Sequence, residues 1–264
     1  MKKVAILLLA ILTFSCSDDD EKGTEEDKGQ WAMIFNESVK NDSNPVDKTE
    51  KFMFDGERLI QHIIKQRYFE EEISNEVNLS YSDNQVTVTT DYLTLVYTLN
   101  SEGYASQCVY SLSSQNRIYQ FSYSAEGYLT GIVENIDNRE YSSTSLTYEN
   151  GDITSISSKM NGLENKFIYE PGEESSTYHL PCLGLLEIHP LTFHIEALYA
   201  GLLGKDPRHF TIRSCPAGSN DEKTVYSYGF DKKGNPSRMI CQTTYAGGQA
   251  NYYPYTRNIS VSFE

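Results

Sequence analysis

Five histidines and five cysteines are the side chains in this sequence best suited to hold a metal. His179, His189, His194 and His209 cluster near Cys182 and Cys215, while His62 stands apart. Cysteine and histidine are the usual zinc ligands, but the spacing argues against a site. His189 and His194 are five residues apart, where a finger needs three or four, and no paired-cysteine knuckle is present. There is no Gly-x-Ser-x-Gly elbow and no glycine loop shaped for phosphate. Carboxylates are abundant enough to supply a glycosidase pair. Nothing singles one pair out, and Glu70-Glu71-Glu72 and Glu173-Glu174 read as solvated turns. We therefore expect no metal, no cofactor and no catalytic residue. Recognition chemistry is a better match. Twenty tyrosines stand against one tryptophan, and tyrosine supplies stiff contact area with a polar tip. Tyr252, Tyr253 and Tyr255, around Pro254, are the candidate ligand contacts, with Tyr104, Tyr128 and Tyr141 behind them. The alternative is that tyrosine simply fills a sheet of modest hydrophobicity.

The chain's beginning carries a different chemistry. Lys2 and Lys3 precede an uncharged run from Val4 to Phe14, which is too short to span a membrane and suits a signal peptide. Leu12-Thr13-Phe14-Ser15-Cys16 resembles a lipobox, with the leucine four residues before the cysteine rather than the usual three. The expected product is a chain acylated at Cys16. Ser17-Asp18-Asp19-Asp20-Glu21 follows and resembles the surface-export signal of Bacteroidetes lipoproteins, which implies display on the outer face of the outer membrane. Residues 17–29 lack the apolar side chains needed to fold. The domains are then a signal peptide over 1–15, an acidic flexible tether over 16–29 and a single folded unit over 30–264. The net charge of −15 would repel nucleic acid. The expected partners are the membrane, through the lipid anchor, and a glycan or an envelope protein.

The folded unit is built of hairpins. An alternating run ends in an aromatic, a turn with Gly or Asn follows, and a second alternating run begins. Tyr119 to Ile132 is the clearest copy. Others centre on Phe54, Tyr81, Tyr97, Tyr148 and Tyr228, with a frayed one at Tyr169. Period-two alternation places one set of side chains on one sheet face, and Glu149-Asn150-Gly151 accepts the positive φ that a tight hairpin demands. Repeated hairpins predict an all-β fold, a curved antiparallel β-meander forming an open sheet or partial barrel. Between Tyr169 and Tyr228 the pattern breaks. Leu191, Ile195, Leu198 and Leu202 share one helical face, Pro190 suits a helix start, and Gly204 suits its cap. This predicts one short helical insertion near 183–204, lying across the sheet or plugging an open end. Four cysteines remain after Cys16. The exported compartment permits disulfides, and Cys182 and Cys215, which flank the insertion, are the favoured pair. Four buried thiols are the alternative. A membrane-embedded barrel is disfavoured, because Ser, Thr, Asn and Gln occupy both faces of Ser111 to Gln115 and Tyr141 to Ser145.

These hairpins, with the signal peptide, the acidic tether and Tyr199-Ala200-Gly201-Leu202-Leu203-Gly204-Lys205, resemble the repeat domain of Bacteroidetes lipoproteins of unknown function described as porin-like. The resemblance implies a curved antiparallel sheet and no assigned activity. A weaker likeness is to tyrosine-aspartate repeat shells, whose aspartate is missing here after Tyr123 and Tyr148. The functional expectation is a lipid-anchored envelope protein at the outer membrane, acting as a non-catalytic binding or accessory module. A hydrolase acting on glycans or peptides, or a purely structural envelope component, is the alternative.

Overall fold

The computed structural model describes residues 29–40, 46–68, 71–112, 115–175, 180, 183–219, 221–244 and 255–264. The strands are β1 (Gln30–Lys40), β2 (Val46–Asp55), β3 (Arg58–Tyr68), β4 (Glu71–Ser82), β5 (Gln85–Thr89), β6 (Thr94–Leu99), β7 (Ala105–Leu112) and β8 (Gln115–Tyr123). They continue with β9 (Leu129–Ile136), β10 (Arg139–Glu149), β11 (Asp152–Met160), β12 (Leu163–Ser175), β13 (His209–Pro216), β14 (Lys223–Phe230), β15 (Pro236–Thr244) and β16 (Tyr255–Phe263). Each pairs antiparallel with its neighbours in sequence, and β16 pairs with β1 from Met33↔Phe263 to Lys40↔Thr256. The meander expected from the hairpins is present, and this last pairing closes it into a barrel.

The hairpin turns follow the residue chemistry. Asn150 and Gly151 adopt φ of 53° and 88°, the left-handed pair of a two-residue hairpin. The repeat tyrosines have a common role. Tyr81 donates its hydroxyl to the carbonyl of Leu59, Tyr123 to Ala105 and Tyr228 to Thr211, at 2.8, 2.6 and 2.8 Å. Each ties the end of one strand to the beginning of the strand before it. These ties lie at the end of the barrel where Gln30 enters and Glu264 leaves, called here the entry end. Ala32 and Glu264 exchange backbone hydrogen bonds there.

Alternation divides the wall into two faces. The inner one carries Phe35, Phe52, Phe54, Leu59, Val86, Val88, Tyr97, Tyr119, Ile132, Ile156 and Val261, all buried. The outer one carries exposed Asn78, Ser80, Gln120, Ser122, Ser145, Thr147, Ser227, Gln242 and Ser260. A barrel of about 16 strands is too wide for its own side chains to fill and ordinarily leaves a channel. Here the segment between β12 and β13 folds inward from the entry end. Its described residues form two short 3₁₀ turns, Leu183–Glu187 and Leu191–Phe193, and one helix, α1 (Ile195–Tyr199). Leu185, Leu191, Ala197, Leu198, Tyr199, Leu202 and Leu203 from this plug join the wall residues in one core. Tyr199 stacks on Phe52 with ring centroids 3.9 Å apart.

The plug differs from expectation in its helix. The sequence suggests a continuous helix capped at Gly204, whereas α1 ends at Tyr199. Gly201 turns left-handed at φ 68°, and the Leu202 N–H bonds back to the Ala197 carbonyl, which is the Schellman closure of a helix. Gly204 serves instead as a point of close approach. A Cβ there would lie 2.6 Å from the Gly127 carbonyl oxygen, and the Lys205 N–H bonds that same carbonyl. The tyrosine ties predict a measurable effect. Phe at Tyr81, Tyr123 or Tyr228 should lower unfolding stability by about 1 kcal/mol each, additively, in urea melts. No loss at all three would show that the hydroxyls are idle.

Candidate functional site

The polar chemistry of this protein lies inside the barrel, where the plug meets the wall. His189 follows the first 3₁₀ turn, and its Nε2 lies 2.6 Å from Oε2 of Glu134 on β9. Glu134 is fully buried and also accepts from Arg117 Nη1, Tyr119 Oη and Ser142 Oγ, at 3.1, 3.2 and 2.8 Å. Burial pushes its pKa up, but the hydrogen bonds from His189 and Ser142 more than offset this and hold it below the usual range. It is a carboxylate with four partners, as burial of a charge requires. The Ser142 and Thr144 hydroxyls sit on β10. Thr144 and Ser158 donate to the His189 carbonyl at 3.1 and 3.3 Å.

Three more contacts fasten the plug. His194, fully buried, places Nδ1 2.8 Å from the Tyr97 hydroxyl and packs edge-on to Tyr119. Burial pulls its pKa down to about 3, so it is neutral. Glu196 on α1 reaches His62 Nδ1 at 2.8 Å. The far side of His62 faces Glu50, with Nε2 3.3 Å from its carboxylate but no well-aligned hydrogen bond. Glu187 accepts from Arg257 Nη1 at 2.6 Å, and Arg257 also binds Glu37 through Nε and Nη2 at 2.5 and 3.0 Å.

Serine, histidine and glutamate occur together here, but not as a catalytic relay. A relay needs the hydroxyl on one imidazole nitrogen and the carboxylate on the other. Ser142 and Glu134 both approach Nε2 of His189, and Ser142 donates to Glu134 directly. The arrangement fastens the plug rather than activating a nucleophile. The described histidines also disperse: His209 pairs with Asp152 at 2.8 Å, and each of the others has its own wall partner. Among the described residues no three metal-ligating side chains converge.

An open cavity of about 360 Å³ lies beside the plug at the end opposite the entry. Its walls are the inward faces of β11 to β14, including Ser158, Met160, Asn165, Phe167, Ser214, Thr224 and Tyr226, and its floor is Glu187, Ile188 and His189. Of the residues expected at a site, Cys16, Ser17, Asp18, Asp19, Asp20, Glu21, Cys182, Tyr252 and Tyr253 lie outside the described residues. Tyr255 opens β16 opposite Thr243. Cys215 lies half-buried on β13, and Cys108 and Cys241 are buried. Sequence reasoning missed Glu134, His62, Ser142 and Arg257. A signal existed for the first two, since each places a titratable group at an inward position of an alternating strand.

The model of a family described as a domain of unknown function (DUF4595) with porin-like fold matches residues 52–238. No curated protein matches the chain. Among solved structures, a porin-like protein from Bacteroides uniformis is 26% identical with a TM-score of 0.80, covering 88% of this chain and 96% of that one. A porin-like protein from Bacteroides vulgatus is 12% identical with a TM-score of 0.53, covering 87% and 97%, and it shares the fold alone.

The fastening at His62 predicts a pH dependence. Burial opposes its charge, but Glu196 and Glu50 together raise its pKa above the ordinary value. A raised histidine stabilises the fold fully below its unfolded pKa, about 6.5, and loses that contribution as pH rises through the folded value. Glu50 is the converse. Despite the desolvation that pushes it up, His62 and Lys48 bring it to about 2, so its contribution holds above the ordinary carboxylate pKa and fades as pH falls toward about 2. The Tm gap between wild type and His62→Gln should be widest near about pH 5 to 6 and narrow as the pH rises through the raised folded value. A gap that stays constant over that range would show that His62 is not charged in the fold.

Proposed function

The chain belongs to the family of domains of unknown function with porin-like fold (DUF4595), and from that premise we propose that it is a lipid-anchored envelope protein whose barrel is a plugged, non-catalytic binding module and not a channel. The observation that carries this reading is the inverted polarity of the wall. A membrane-spanning barrel presents an apolar band to lipid and a polar lumen to water. In this protein the inward face is predominantly apolar and packed against the plug, while the outward face is rich in Ser, Thr, Asn and Gln. Val96, Val109 and Ile118 form a short apolar row across the outer face of β6, β7 and β8, but Thr87 and Asn135 end it on either side. No continuous belt for lipid results among the described residues. A barrel that water solvates on the outside needs another means of staying at a membrane. Acylation at Cys16, with residues 16–29 as tether, supplies it.

The tether joins β1 at the entry end, where the tyrosine ties and the terminal Ala32–Glu264 pairing lie. The cavity opens at the far end. A chain held through Cys16 therefore keeps its cavity mouth remote from the point of attachment, where a glycan or an envelope protein can reach it. Net negative charge disfavours nucleic acid there. The acidic run Ser17 to Glu21 fits export to the cell surface. Two measurements test the reading. The wild-type chain should fractionate with the outer membrane, and Cys16→Ala should release it. The purified protein should add no ion conductance to planar bilayers. Membrane retention of Cys16→Ala together with discrete conductance steps would make it a true porin.

A further inference from the structure

We infer that the far-end cavity is a binding site for a neutral, hydroxyl-rich ring of one or two sugar units. This deepens the binding-module reading and rests on it. The volume, about 360 Å³, falls at the small end of the range for small-molecule sites, about 300 to 1,000 Å³. Charge is the first discriminator. The charged groups at the floor are already engaged, Glu187 with Arg257 and His189 with Glu134. Among the described residues of the lining, an ionic ligand would find no counter-charge that is not already paired.

The lining chemistry narrows the class further. The lining offers hydroxyls from Ser158, Ser214, Thr224 and Tyr226 and the amide of Asn165. Such groups donate and accept alike, which suits a polyol whose hydroxyls do the same. Ser214 and Tyr226 hold each other at 3.1 Å, and Thr224 is held by Thr243 at 2.9 Å, so these hydroxyls are positioned in advance. Asn165 is exposed, and its side-chain amide has no hydrogen-bond partner among the described residues, which leaves its donors and acceptor for a guest. Interleaved with these are Phe167, Met160 and Leu163, the latter two exposed at 38% and 74%, and Asn165 stands between Leu163 and Phe167 on β12. Apolar and hydroxylated groups side by side match a sugar ring, which has a C–H face and a hydroxyl edge. A straight acyl chain would answer the apolar groups alone and leave the Asn165 amide unused.

The wall behind the cavity is also its loosest seam. Among the described residues β13 and β14 pair only at Arg213↔Val225 and Ser214↔Thr224. Ser214 and Thr224 are held on their other sides by Tyr169 of β12 and Thr243 of β15.

The test is saturation-transfer NMR on the full chain carrying Cys16→Ser, purified without detergent. The probes are glucose, galactose, mannose, N-acetylglucosamine and maltose, with laurate as the acyl comparison. At least one sugar should give a transfer signal. Asn165→Ala should weaken its affinity by about fivefold, the loss expected of one hydrogen bond, and Phe167→Ala should weaken it further. Gln66→Ala, outside the cavity, should leave it unchanged. Asn165 is exposed, so its variant keeps the fold, which a thermal melt checks. Silence from all five sugars, a signal indifferent to Asn165→Ala, or a response to laurate alone would overturn the assignment. A chain that fractionates with the membrane yet ignores every sugar loses this inference and keeps the reading above it.

Discussion

A closed antiparallel barrel of this strand number encloses more space than its own inward side chains can fill. That constraint governs the rest of the structure. Eight-stranded barrels fill themselves, while barrels near twice that size leave a lumen that water occupies. This wall cannot tolerate a wet lumen, because its inward face carries Phe, Leu, Val and Ile in strand after strand. The chain resolves the conflict by sending one inter-strand connection inside. Leu191, Leu198, Tyr199 and Leu202 then bury against Phe52, Tyr97 and Ile132 in one continuous core. Each fully buried side chain of that size is worth about 1.5 to 3 kcal/mol, so the plug belongs to the hydrophobic core and is not an accessory.

Apolar filling alone would permit the plug to sit in several orientations. The polar contacts remove that freedom. Glu134 with His189, Tyr97 with His194, His62 with Glu196 and Arg257 with Glu187 join different wall strands to successive points along the plug. Ion pairs contribute little net stability, whether exposed like Arg257–Glu187 or buried. Their contribution is register, since displacing the plug would strand Glu134, His62 or His194 in the interior. The same network explains why a serine, a histidine and a carboxylate stand within hydrogen-bonding distance without forming a hydrolytic site.

Much of this was legible in the sequence, and unevenly so. The hairpins were readable because their signals are local: alternation, an aromatic, then Asn150-Gly151 or Gly127. The plug was readable as an apolar stripe, because Leu191, Leu198 and Leu202 repeat at helical spacing. Closure was not readable, because Met33 meets Phe263 across almost the whole chain and no local pattern records a pairing at that separation. The shorter helix follows from Gly201, whose left-handed turn breaks the expected run before Gly204. The anchoring pairs were hidden for the same reason as closure. His189 and Glu134, or His62 and Glu196, are far apart in sequence and meet only after the barrel exists. What the sequence did offer was a polar residue on an inward face, as at Glu134, and that is the mark of a buried partner.

The central claim is that residues 183–204 fill the barrel as part of one cooperative core. Hydrogen–deuterium exchange at the Leu198, Ala200 and Leu202 amides tests it most directly, since each bonds within the plug and exchange reports local opening. The account predicts protection equal to that of the central strand amides of β8 and β9, lost only on global unfolding. Rapid exchange of these three amides from an otherwise protected barrel would contradict it and leave the lumen open.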